Sequence, residues 1–134
     1  MFEKIIQWAE LPARVAMSAI FILSGLGKLS AFDLTRGYME AYGVPAALLV
    51  PTIAFELGAG AALLVGFGTR YAALLLSGFC LVAAMVFHRD FGDQIQQIMF
   101  LKNVAMAGGL LLLAKTGAPE LSLERMLSKT RGMH

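Results

Sequence analysis

Four long apolar runs, at residues 11–31, 45–66, 69–88 and 95–115, account for most of the chain. Each approaches the roughly 20 residues that a helix needs to cross a hydrocarbon core. A backbone in hydrocarbon has no water to satisfy its amides, so a run of this kind must close its own hydrogen bonds as a helix. The alternating segments of about ten residues that mark a membrane β-barrel are absent from the pattern. The expected fold is therefore all-α, an integral membrane four-helix transmembrane bundle, with residues 1–134 forming one domain.

Polar positions define the connections. Residues 66–70, Gly-Phe-Gly-Thr-Arg, leave room only for a tight turn, which makes the second and third helices antiparallel neighbours. Residues 31–44 set Phe32, Tyr38 and Tyr42 among Asp33, Arg36 and Glu40. That mixture suits a short helix at a membrane interface, where aromatic belts sit. Residues 88–94 form a polar loop. At the start, Phe2, Ile5, Ile6 and Trp8 alternate with Glu3, Lys4, Gln7 and Glu10; residues 119–132 set Leu123, Met126 and Leu127 against Glu120, Glu124, Arg125 and Lys129. Both segments are expected to be interfacial helices lying on the membrane surface.

Composition agrees with the pattern. Hydrophobic residues make up 58% of the chain and charged residues 15%, well below the quarter of an average soluble domain. A net charge of +2 without a basic cluster sets nucleic-acid partners aside. Glu3 and Glu10 precede the first run and no small-residue cleavage site ends it, so it is expected to be a retained helix and not a signal peptide. With both termini on one side, that side carries Lys4, Arg14, Arg70, Lys115, Arg125, Lys129 and Arg131, against Lys28, Arg36 and Arg89 on the other. The positive-inside rule then places both termini in the cytoplasm.

Candidate chemistry lies in the charges that fall inside the runs, each costing about 3 kcal/mol or more in the bilayer centre. Glu56 sits near the middle of the second run; Lys102, followed by Asn103, sits about two turns into the fourth. Lys28 ends the first run, Arg14 opens it, and His88 ends the third. One reading is structural: Glu56 and Lys102 pair across the bundle and fix its register. The other is a polar pocket in the outer half, built from Lys28, Glu56, Lys102 and Asn103 with His88 at its mouth. Three cations against one carboxylate favour an electron-rich headgroup such as a quinone carbonyl. Pro51 interrupts the second run, and a kink there would open space beside Glu56. Small residues at 58–62, at Ser24-Gly25 and at 105–109 allow close helix packing. Cys80 is the single cysteine, so no disulfide or redox pair forms within the chain. No metal site, phosphate loop or catalytic triad is legible, and no cofactor belonging to the chain itself is expected.

Taken in order, several motifs resemble the DoxX family. Arg14, Phe21, Ser24-Gly25 and Lys28-Leu29 resemble its first helix, and residues 38–45, Tyr-Met-Glu-Ala-Tyr-Gly-Val-Pro, its first loop. Glu56-Leu57-Gly58-Ala59-Gly60, then Gly66 and Thr69-Arg70, are similar to its second helix and turn. Phe87-His88, Phe100-Leu101-Lys102-Asn103 and Gly108-Gly109-Leu110 match the remainder. The resemblance implies a short bacterial inner-membrane protein of a family whose namesakes are tied to a thiosulfate:quinone oxidoreductase and some of whose members are tied to membrane oxidoreductase complexes that handle thiol and oxidative stress. Arg14, Lys28, Glu56, His88, Lys102 and Asn103 are the matching polar positions, and no catalytic role is carried over to them. The leading expectation is a quinone-interacting membrane subunit of an oxidoreductase system. A non-enzymatic scaffold docking a soluble enzyme through residues 119–134, and a small transporter acting as a homo-oligomer, are the alternatives.

Overall fold

The computed structural model describes residues 1–118 together with Met126, Leu127 and Lys129. A short helix α1 (Phe2–Ile6) runs through hydrogen-bonded turns into α2 (Glu10–Ser30). The chain reverses into α3 (Phe32–Ala41), passes a 3-10 turn at Ala46–Leu48, and continues as α4 (Leu49–Val65), α5 (Thr69–Phe87) and α6 (Gln94–Thr116). The described residues contain no strand. Among the described residues, four helical spans are long and apolar enough to cross a membrane, Phe2–Ser30, Ala46–Val65, Thr69–Phe87 and Gln94–Thr116; apart from the start of the first, which takes in α1, their bounds lie within one residue of the four runs in the sequence. The end of the bundle holding the N-terminus is called proximal below, and the opposite end distal.

Local chemistry explains the boundaries. Gly66 and Gly68 both adopt left-handed backbone, φ +74° and +61°, and this double reversal closes α4 and opens α5 within three residues. The Asp93 carboxylate accepts from the Ile95 amide at 2.9 Å and caps the start of α6. The expected kink at Pro51 is corrected. Pro51 stands in the first turn of α4, where its missing amide proton would have had no partner within the helix. The irregularity falls one turn earlier, as the 3-10 turn.

The helices pack most extensively in two pairs, α2 with α4 and α5 with α6, and the pairs join chiefly through α4 and α5. On α5, Ala73, Ser77, Cys80 and Ala84 recur at intervals of four, three and four and are all buried. This seam of small side chains lets α6 approach until Ser77 Oγ donates to the Ala107 carbonyl at 2.9 Å. One core cluster holds Phe21, Leu63, Leu76, Leu110 and Leu113. A second, at the distal end, holds Met39 from α3 against Leu49 and Ile53 from α4. Most other large apolar side chains point outward, as they do on a surface whose solvent is lipid.

Within residues 31–44, where a short helix is expected, α3 forms and packs its Met39 at the distal end. The first part of the expected N-terminal helix is α1, with Phe2, Ile5 and Ile6 exposed. The expected helix at 119–132, and with it the docking face containing Arg125 and Arg131, lies outside the described residues apart from Met126, Leu127 and Lys129.

Candidate functional site

The distal half of the α2–α4 pair holds a buried carboxylate. Glu56 lies two turns into α4, about 10 Å from its start. Its side chain is 2% exposed, yet it is held by a cation that still reaches the surface, since the Lys28 side chain is 24% exposed. Lys28 Nζ donates to Glu56 Oε1 at 2.7 Å and to Ser24 Oγ at 2.8 Å. Ser24 and Lys28 stand one turn apart on the same face of α2, so the hydroxyl aims the ammonium at α4. Between them Gly25 has no side chain to hold the helices apart. A Cβ there would lie 2.8 Å from the Leu57 side chain and 3.6 Å from Glu56 Cβ.

The pair is unequal in its satisfaction. A carboxylate offers about four acceptor positions. Glu56 Oε1 uses the lysine, while Oε2 is buried with no hydrogen-bond partner among the described residues. A buried polar oxygen left unpaired costs free energy in any apolar surrounding. Such an atom marks a place where a donor, or a proton, is accommodated.

At the same end of the bundle α3 packs against the start of α4 and the end of α5. Met39 is buried against Leu49 and Ile53. Tyr38 stacks on Phe87 at the end of α5, centroids 5.5 Å apart, and Tyr42 meets the same ring edge-on at 5.3 Å. Burial, and then the hydroxyl of Tyr42, raise the Tyr38 phenol above its ordinary value, so Tyr38 is neutral at physiological pH. Gly43 continues the chain with φ +78°, a left-handed turn that returns it toward α4.

The remaining sequence candidates stand elsewhere. Lys102 is on the exposed face of α6 and has no polar partner among the described residues. The partner of Glu56 is Lys28, not Lys102. Asn103 turns back onto its own helix, Nδ2 donating to the Met99 carbonyl at 2.9 Å. His88 Nδ1 bonds to Gln96 Oε1 at 2.9 Å and ties the end of α5 to the first turn of α6. Arg14 is fully buried at the proximal end. Its Nε donates to Glu10 Oε2 at 2.8 Å, and its Nη1 to the Leu63 and Leu64 carbonyls at 3.1 and 3.4 Å. It therefore brings a cation to the negative end of α4, where the last carbonyls have no helical donor. The structure thus joins Lys28 and Glu56 out of the candidate set. Ser24, which sequence reading treated only as a small packing residue, completes the arrangement; its signal was its spacing of one turn from Lys28. Glu10 likewise stands one turn from Arg14.

No group of three or more His, Cys, Asp or Glu able to hold a metal occurs among the described residues. The family model named DoxX matches residues 9–89, a stretch that contains the Arg14–Glu10 and Lys28–Glu56 ion pairs. The chain is 44% identical over 119 residues to the inner membrane protein YqjF of Escherichia coli (strain K12), covering 89% of this chain and 92% of that one. It is 40% identical to the inner membrane protein YphA of the same organism, covering 84% of this chain and 86% of the relative. No solved structure matches it.

Proposed function

Starting from the fact that the chain belongs to the DoxX family and is a multi-pass inner-membrane protein, we propose that it is a quinone-interacting membrane subunit of an oxidoreductase system serving thiol or oxidative stress, with Lys28 and Glu56 at its centre. The observation that carries this reading is the buried Glu56 carboxylate, one oxygen on a partly exposed lysine and the other unpartnered. A quinone headgroup fits that donor set, since a carbonyl accepts from an ammonium and a reduced oxygen needs a proton. When bound it would supply two-electron, two-proton chemistry. Lys28 would present the donor to the carbonyl. Ser24 holds the Lys28 ammonium in place, and Glu56 Oε2 is the atom at which a proton would be held. The lone Cys80 cannot form an internal redox pair, so electrons would come from a partner protein. Both termini are placed in the cytoplasm on the strength of the Lys and Arg distribution, which sets Lys28 and Glu56 toward the outer leaflet.

The test is quinone binding to the purified chain in lipid discs, followed by extraction and mass measurement. Near-stoichiometric quinone is expected in the parent protein. About tenfold weaker binding is expected in Lys28→Met and in Glu56→Gln, the loss of one charge-assisted hydrogen bond. Unchanged affinity in both variants, measured at a temperature where helical content shows each still folded, would remove the reading.

A further inference from the structure

Helix α6 is the least covered of the four spans, with Ala107, Leu110 and Leu113 its only buried residues. Its outer face carries a second pattern. Leu101, Ala105, Gly108 and Leu112 recur at intervals of four, three and four, and all four are exposed. The two large members stand 63% and 67% exposed, and a Cβ built on Gly108 meets nothing within 4 Å. Large residues at the ends and small ones at the centre form a shallow groove that matches a helix crossing at the angle usual in membrane bundles. Beside this groove, one turn before Ala105 and Met106, stands Lys102, exposed and without a polar partner among the described residues. An ammonium about 12 Å into a membrane helix is costly unless it is paired.

We infer that this face of α6 is a docking surface for one membrane-spanning helix of a different protein, bearing a carboxylate at the depth of Lys102. The charge pattern selects the occupant. Within α2, α4, α5 and α6 the carboxylates are Glu10 and Glu56. Glu10 is held by Arg14 at the proximal end, and Glu56 is buried on Lys28. Within these four helices a second copy of this chain therefore has no exposed carboxylate to set at the depth of Lys102. Two copies meeting symmetrically through the groove would also set Lys102 against Lys102 at the same depth, which is repulsive in low dielectric. A foreign helix with Glu or Asp there neutralises the lysine and fills the groove in one contact. This surface is separate from Lys28 and Glu56, so it stands or falls independently of quinone binding.

The experiment uses the full chain, donor-labelled, in lipid vesicles. The acceptor-labelled probe is a synthetic Leu/Ala transmembrane helix carrying one Glu at the depth of Lys102. Companion probes carry Gln at that position, or Glu near the proximal end. Energy transfer is expected to show the first probe binding about tenfold more tightly than either companion. Lys102→Met should erase that preference, and Gly108→Leu, which adds bulk where nothing is displaced, should weaken all probes while leaving the fold intact. Equal binding of the Glu and Gln probes would overturn the inference. So would self-association of the chain through the groove, or a preference that disappears when anionic lipid is omitted, which would assign Lys102 to headgroups.

Discussion

At the scale of single residues, Lys28 and Glu56 are the pair whose removal reads differently one at a time and together. Lys28→Met strands a buried carboxylate whose second oxygen already has no partner. The expected loss is about 3 kcal/mol, the low end for a broken buried pair because Lys28 is partly exposed. Replacing both, Lys28→Met with Glu56→Met, removes the stranded charge and should recover most of that loss in reversible unfolding from mixed micelles. If the double variant is as unstable as the single, the ion pair itself holds α2 on α4, and the desolvation argument is wrong. The same reasoning separates Arg14 from the candidate site. Its guanidinium donates to Glu10 and to the last carbonyls of α4, so it works as a clamp at the proximal end.

Helix packing is decided by which glycines face a neighbour. Gly58 and Gly60 are two positions apart in one helix, yet only one is needed there. A Cβ on Gly58 meets nothing within 4 Å, whereas on Gly60 it would lie 3.0 Å from Ile22 Cγ1, 3.3 Å from Phe21 Cβ and 3.4 Å from the Ile22 backbone nitrogen. Backbone cannot swing aside, so Gly60→Ala should destabilise by roughly 1–3 kcal/mol, the range for overpacking. Gly58→Ala should be neutral or stabilising by up to about 1 kcal/mol, from helix propensity alone. Thermal unfolding of the two variants side by side distinguishes them, and equal effects would mean that the α2–α4 contact is looser than described. Gly25 belongs between the two, because the atoms it would meet first are the far end of the Leu57 side chain, which can turn.

For the whole molecule, the distribution of Lys and Arg across the membrane sets the orientation argument. Reporter fusions at the C-terminus and in the residue 88–94 loop should report cytoplasmic and outer locations respectively. Moving the balance, by Arg70→Gln together with Lys115→Gln, should produce a mixed population, since orientation follows the count of cations flanking the spans. A loop reporter that reads cytoplasmic in the parent chain would invert the molecule and place Lys28 and Glu56 in the inner leaflet.

The apolar runs determined the spans, because length in hydrocarbon and the need to close every backbone bond leave no other structure for them. The Gly66–Gly68 turn was legible for the same local reason: left-handed backbone is where glycine is needed. Pro51 was misplaced because a proline marks a helix boundary as readily as a kink, and only the position of the first turn separates the two. The presence of costly charges was also plain, but not their partners. Counted from the distal end, Lys102 matches the depth of Glu56 more closely than Lys28 does, and a helix as evenly apolar as α6 carries no periodicity to say which face turns inward. The rotation of α6 was set by the small seam on α5, through Ser77 and Ala107, and that rotation sent Lys102 outward. The rotation of α2 was set by Gly25 and Gly60, and it brought Lys28 to Glu56. Which face of each helix meets a neighbour is a property of the packed set of helices, so the tertiary structure alone decided which charges are paired.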